Sequence, residues 1–382
     1  MIDLPHDRIV RIERGTLTGR RPRCCMYNGR MVGPVYAAGH GDTVRDPLVR
    51  LVTSGGAEGL GHARLPREAA EALVGQPLDA LFRLPEGCTP AGRPVDLPLW
   101  DLAARMAGLP LYRLLGARGS REVTAYDGSI YIDDVGKSAE EAVAIYREEV
   151  AVGRAYGLRH FKVKVGRGGY WMPTEEGLAR DALVIHTVRE AAGPDAHVLI
   201  DANMGNTVNT AIDLLRRTRA DRVYWFEEPF YEDRPANERL KAFLREEGLE
   251  TLVADGEFHP PDYFFDLVEE GLIDVVQHDL RAWGLTWWIG TARRIEPWGA
   301  LCGPHCWGSL IERYTHAHFA ASIPHYALLE TSPVDMPGLI EDGWAWRDGC
   351  LVVPDTPGIG LQIADEVWQE ALRAEDGYVV TT

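Results

Sequence analysis

The chain has 382 residues, 46% hydrophobic and 25% charged, with 40 glycines and 24 prolines spread along its length. That size exceeds one small core and points to two domains or one large barrel with an addition. A formal net charge of −17 argues against nucleic acid and against anionic membrane as partners, since both demand a basic surface. No window approaches the ~20 apolar residues of a membrane span. The segment Met1-Ile2-Asp3-Leu4-Pro5 lacks a basic-then-apolar signal pattern, so a cytoplasmic location is expected. The six cysteines form no C-x-x-C pair, and a chain of this size needs no disulfide staples. Cys302, His305 and Cys306 lie close together, but the second ligand pair of a zinc site is missing.

Residues 1–121 read as a mixed α+β segment. Leu48 to Thr53 alternates as a strand and runs into Gly55-Gly56, a hairpin signal. Leu65 to Leu73 and Leu97 to Leu115 carry helical spacing, the latter interrupted at Gly108-Leu109-Pro110. Residues 122–354 have a regular beat. Short apolar strands are expected at 123–131, 160–165, 197–200, 223–226, 251–253, 273–276, 301–303 and 326–329, with amphipathic helices between them. In one such helix, Glu176 to Ala192, the residues Leu178, Ala182, Ile185 and Val188 make an inward stripe that Gly193-Pro194 stops. Alternating strands and helices predict an α/β fold, a (β/α)7-8 barrel of TIM type. A doubly wound sheet is the competitor, but no G-x-G-x-x-G follows a strand. Residues 355–382 leave the beat and are expected to return to the N-terminal segment, completing a capping domain.

The polar residues sit on this beat at the strand ends. Lys162 and Lys164 alternate on one strand and so share a face. Lysines guarding an exposed edge strand are the ordinary explanation of such a pair. The later strands, however, end at Asp201, Glu227, Glu257, Asp279, His305 and Glu330, each one βα unit after the last. Any single carboxylate there reads as a cap. Seven ionisable groups in register read as the ring of an active site at the C-terminal mouth of a barrel. Asp201, Glu227 and Glu257 offer three hard oxygen ligands from adjacent strands, which suits Mg2+ with Mn2+ as a substitute. Glu228 is expected to face away from Glu227. Asp279 behind His305 would fix its tautomer and raise its basicity, while His278 reads as a buried, hydrogen-bonded core histidine.

The set Lys162-Val163-Lys164, Asp201-Ala202-Asn203, Glu227-Glu228-Pro229, Asp255-Gly256-Glu257, Asp279, His305 and Glu330 resembles the enolase superfamily, in its mandelate racemase subgroup. Leu99-Trp100-Asp101-Leu102-Ala103, Leu114-Leu115-Gly116 and Pro357-Gly358-Ile359-Gly360 extend the resemblance to nearly the whole chain. The resemblance implies Lys164 as a base on one substrate face, with Lys162 stabilising carboxylate charge and lowering the pKa of Lys164. It implies His305, paired with Asp279, on the opposite face. Protonated Glu330 would donate a hydrogen bond to the growing charge, and Asn203 would touch substrate.

The implied reaction is abstraction of a proton α to a carboxylate in a small-molecule substrate. Dehydration of a sugar acid to a 2-keto-3-deoxy acid is the first expectation; racemisation, epimerisation or cycloisomerisation is the second. A homo-oligomer is expected. Arg167, Tyr170 and Trp307 are expected to line a distal pocket. Arg23 and Tyr27, in the loop-like run Gly19 to Tyr27, would hold a distal anionic or polyhydroxylated substrate end. A solvated loop is the plainer expectation for that run, because exposed arginine is ordinary.

Overall fold

Eight short parallel strands form a closed ring in the computed structural model, which describes residues 7–29, 39–257 and 260–382. In order they are Glu122–Ile130, His160–Lys164, Val198–Asp201, Val223–Glu227, Leu252–Asp255, Val275–Val276, Leu301–Cys302 and Leu329–Thr331. Each pairs in parallel with the next through the seventh. The seam closes where Cys302 bridges to Tyr326, and Glu330 stands opposite Tyr126 of the first strand. All eight expected strands are present, with ends moved by a few residues. Val198–Asp201 is buried at every position, as a parallel strand covered on both faces requires.

Local chemistry sets the helices around the ring. Ala139–Ala155 starts at Ser138, whose hydroxyl accepts from the Glu141 amide while the Glu141 carboxylate accepts from the Ser138 amide. Thr174–Ala192 buries Leu178, Ile185 and Val188 and stops at Gly193, whose φ of 83° opposes continuation.

A four-stranded antiparallel sheet lies beside the barrel. Ile9–Cys25, Gly41–Thr53 and Glu58–His62 form a meander, and Tyr378–Thr381 pairs along Ile9–Cys25. The C-terminal helix Asp365–Arg373 is fixed to the same strand, Trp368 Nε1 donating to Glu13 Oε2 at 2.6 Å. Asp101, fully buried on helix Asp96–Met106, accepts from the amides of Leu60 and Ile359 at 2.7 Å each. Gly358 packs so closely there that a Cβ would stand 2.2 Å from Asp101 Oδ1. Three further strands, Leu339–Glu341, Ala345–Arg347 and Cys350–Val352, follow the barrel. The last pairs antiparallel with the first barrel strand. Their brevity and polar content left no periodic signal in the sequence. Among the described residues, no helix is long and apolar enough to cross a membrane.

One packing feature carries a pH dependence. His318 is fully buried; its Nδ1 accepts the Tyr112 amide at 3.2 Å, and Nε2 has no hydrogen-bond partner. Burial holds its pKa down to about 3, against an ordinary 6.5. The folded value lies below the unfolded one, so its contribution is complete above about pH 6.5 and is lost as pH falls toward 3. The melting temperature should therefore drop as pH is lowered from 6.5, and His318→Asn should flatten that acid limb. An unchanged slope in the variant would assign the acid sensitivity to other groups, of which buried His62 and His316 behave alike.

Candidate active site

The ends of the barrel strands bring the ionisable ring together. Lys162 and Lys164 stand on one face of the second strand, both buried. Lys162 Nζ lies 2.5 Å from Glu227 Oε1, 2.9 Å from Glu330 Oε1 and 3.3 Å from Asp201 Oδ2. Lys164 Nζ donates to the same Asp201 oxygen. His305 Nδ1 is 3.3 Å from Asp279 Oδ2, while Nε2 is 3.3 Å from Glu257 Oε1 and 3.9 Å from Glu330 Oε2. Lys162, Lys164, Asp201, Glu227, Glu257, Glu330 and His305 thus form one continuous buried network, with Asp279 behind it. Edge-strand lysines would be solvated, so that explanation of Lys162 and Lys164 fails.

Backbone strain marks the same place. Asn203, Met204 and Glu228 all have positive φ, at 43°, 61° and 41°. The kink at Glu228 breaks strand alternation and corrects the expectation that this side chain points away. Glu228 Oε2 accepts from Asn203 Nδ2 at 3.0 Å. Asn203 Oδ1 is buried without a hydrogen-bond partner, leaving an acceptor for a ligand group.

The carboxylates outnumber the cations at the mouth, and the titration shifts record it. Burial and the charge of Asp201 push Glu227 up to about 8. Burial also raises Glu257, whose Oε2 has no hydrogen-bond partner. Burial opposes charge on Asp201 as well, yet Lys164 and Lys162 hold it well below the usual carboxylate range. Asp201 and Glu227 meet at Lys162, and Glu257 Oε2 is a buried oxygen without a partner. This all-oxygen donor set has the chemistry of a hard divalent-cation site, although the three carboxylates do not bring one oxygen each within 4.8 Å of one another.

Two titration directions differ from those expected, both set by the ion pairs of Lys164 and Lys162 with the carboxylates. Burial pulls the Lys164 pKa down and Lys162 adds to that, but Asp201 outweighs both and raises it. Burial favours a neutral Glu330, but Lys162, His305 and the Cys306 amide hold it below its ordinary value. Glu330 Oε2 accepts the Cys306 amide at 2.8 Å. His305 runs the other way: burial disfavours its charge, and Glu257, Glu330 and Asp279 overcome this, raising it to about 9.

The expected distal pocket is corrected most. Arg167 is 0% exposed and turns beneath the second strand, not into the mouth. It reaches Asp134 Oδ1 at 2.9 Å, Asp181 Oδ1 at 2.6 Å and the backbone oxygen of Lys164 at 3.1 Å. Two buried carboxylates claim the guanidinium, so it positions Lys164 and touches no ligand. Removing one partner of a buried ion network typically costs about 3–5 kcal/mol. Arg167→Met should accordingly lower the denaturant midpoint by that order; a neutral effect would contradict the positioning role. Tyr170 stands 65% exposed against Trp171, on the outside of the loop. Tyr27 packs on Trp171 with centroids 4.4 Å apart and bridges to Ile132. Arg23 is taken by Glu149 and by Asp127, the latter at 3.3 Å, so its charge is already compensated. The run Gly19 to Tyr27 is mostly strand, not loop, because Ile9–Cys25 continues through it, with bridges from Arg20 to Asp335 and from Tyr27 to Ile132. His278 is a core histidine as expected, but its Nδ1 has no hydrogen-bond partner; it stacks on Trp287 at 5.0 Å.

Trp307 does belong to the wall of the site. Its ring lies 5.2 Å from Tyr131, and Lys164 Nζ lies 5.3 Å from that tyrosine ring. Sequence reasoning missed three contributors. Gln277 Nε2 donates to Glu227 Oε2 at 2.9 Å; its place just past the sixth strand was the available signal. Gly128 leaves space for Glu330, since a Cβ there would stand 2.2 Å from Glu330 Oε1. Arg21 shares strand parity with Arg23, and its guanidinium lies over the Trp307 ring at 4.6 Å.

Residues 145–367 match a family model described as enolase C-terminal domain-like. The chain is 30% identical to D-galactarolactone cycloisomerase of Agrobacterium fabrum, over 70% of each chain. Among solved structures, it resembles the galacturonate dehydratase of a Geobacillus species complexed with D-galacturonate and 5-keto-4-deoxy-D-galacturonate. The TM-score there is 0.91, with 31% identity, covering 99% of this chain and all of that one. A mandelate racemase/muconate lactonizing protein from Geobacillus, complexed with magnesium and tartrate, aligns over 100% of both chains at 30% identity, with a TM-score of 0.93.

Proposed function

This chain belongs to the enolase superfamily, and on that premise we propose that it removes the proton α to the carboxylate of a sugar acid and expels the β-hydroxyl, releasing a 2-keto-3-deoxy acid. The observation that carries the reading is a pair of titratable arms from the second and seventh strands, converging on one carboxylate cluster. Asp201, Glu227 and Glu257 would hold one Mg2+, or Mn2+ in its place. When bound, that ion supplies fixed positive charge to the substrate carboxylate as the α-carbon loses its proton.

The chain's own residues do the rest. Lys164 would take the α-proton when a divalent cation, rather than its own ammonium, neutralises Asp201, and the electron pair moves into the enolate. Lys162, packed among Asp201, Glu227 and Glu330, keeps a second positive charge where the enolate develops. His305 carries its proton on Nε2 while Asp279 holds Nδ1. It passes that proton to the β-hydroxyl as the carbon–oxygen bond breaks, so water leaves. The enol then ketonises. Arg281, within 3.2 Å of Asp279 Oδ1, keeps that carboxylate ionised behind the imidazole.

Cycloisomerisation is the second reading, favoured by the similarity to D-galactarolactone cycloisomerase. It uses the same enolate with a different fate. The test is to incubate the Mg2+-loaded protein with aldonic, aldaric and uronic acids and their lactones, following keto product by semicarbazide absorbance. Keto acid from an active substrate supports dehydration; an epimer or ring isomer alone overturns it. Absence of α-proton exchange with every acid in deuterated water overturns the enolate chemistry itself.

A further inference from the structure

Among the described residues, Arg21 is a buried cation with no acidic partner. Only 5% of the residue is exposed, and neither Nε nor Nη2 has a hydrogen-bond partner. Among the described residues it makes no ion pair, in contrast to Arg23 two positions along the same strand. Burying a guanidinium unpaired is costly, and native folds avoid it unless a ligand completes the pairing.

Its surroundings say what kind of ligand. The guanidinium lies over Trp307, whose Nε1 is likewise buried without a partner. Trp307 stacks near Tyr131, and Tyr131 faces the Nζ of Lys164. The two orphaned groups are donors only; Trp307 is one aromatic ring, Tyr131, away from Lys164, and Arg21 lies on the far side of Trp307. Among the nearby acidic groups, Asp127 and Glu149 pair with Arg23, and Asp133 gives Oδ1 to the Met26 amide while its Oδ2 is buried without a partner; none of the three makes an ion pair with Arg21. A wall of unpaired donors with one fixed positive charge matches a group that only accepts and carries negative charge. A planar carboxylate also fits the guanidinium fork in a way that a hydroxyl does not.

We propose that Arg21, with the indole N–H of Trp307, receives a second carboxylate at the end of the substrate distal to the reacting one, so that the preferred substrates are dicarboxylic sugar acids. This rests on the enolate reading above and adds the substrate class to it. Arg21 is then the residue that reads chain-end charge, the role that the sequence alone assigned to Arg23.

The experiment uses matched pairs of acids with one stereochemistry, an aldarate and the corresponding aldonate, which differ only at the distal carbon. Wild type, Arg21→Met and Arg21→Lys are compared, all loaded with Mg2+. Wild type should favour the aldarate, and Arg21→Met should reduce the aldarate-to-aldonate ratio of kcat/KM about 100-fold, chiefly through KM. Arg21→Lys should fall between, keeping charge but losing the fork. Calorimetric titration with glutarate, which has no β-hydroxyl to lose, gives a readout independent of turnover: binding to wild type should be lost in Arg21→Met. A wild-type preference for aldonates, or an unaltered ratio in both variants, overturns the proposal while leaving the enolate chemistry standing. If Arg21→Met does not fold, a ratio in Arg21→Lys equal to wild type overturns it equally. Failure of wild type to exchange the α-proton of any acid is the separate result that removes the underlying reading.

Discussion

Asp201→Asn should lose divalent-cation affinity and at least about 10²–10³-fold of its turnover while keeping its far-UV spectrum. The physical reason is that Asp201 is bound on two sides. Its Oδ2 is shared by Lys162 and Lys164, and its Oδ1 accepts the Asn203 amide at 2.9 Å. An amide of the same shape keeps the packing of the third strand but removes the charge that anchors both lysines. It also removes the charge from one of the three proposed oxygen donors, and a hard cation binds two carboxylates more weakly than three. Calorimetric titration with Mg2+ and with Mn2+ measures the loss directly. Wild-type affinity in the variant would show that the cation, if one binds, is held elsewhere.

Lys164→Ala and His305→Asn should each reduce turnover by about 10⁴-fold, the upper end for a single proton-transferring group. Their partial reactions should differ. With Lys164 as base, His305→Asn should still exchange the substrate α-proton in deuterated water, since the proton is taken before the hydroxyl leaves. Lys164→Ala should exchange nothing. The reverse pattern would exchange the two roles and make His305 the base. Full turnover in either variant would reduce that residue to a structural part of the carboxylate network. Arg167→Met offers a control, because it loosens the backbone oxygen of Lys164 without touching the mouth.

Much of this was legible in the chain itself. Strands recur at one βα unit each, and from the second strand to the eighth an ionisable residue of the site lies within three positions of the strand end. That pattern survives translation into three dimensions because parallel strands in a ring end at one mouth, whatever their exact register. Lys162, Lys164, Asp201, Glu227, Glu257, Asp279, His305 and Glu330 meet for that reason alone. Arg167 and Glu228 were misplaced for a related reason. Both lie just past a strand end, where period-two alternation no longer governs direction. At Glu228 a positive φ turns the side chain to Asn203, and at Arg167 the preceding Gly166 adopts φ 90°, starting a short helix turn.

The sequence by itself determined the barrel, its order of strands and the ring of ionisable groups, because periodicity and spacing are local properties that a parallel ring carries intact to one end. Only the tertiary structure decided which arginines are compensated. Arg21 and Arg23 are chemically identical and share a strand face, and nothing local separates them. Arg23 is matched by Asp127 and Glu149, more than a hundred residues away in sequence, whereas Arg21 meets the Trp307 ring and, among the described residues, no acid. Charge pairing over such separations depends on where the folded barrel sets its helices against the capping sheet. That placement comes from long-range packing, which no window of sequence contains.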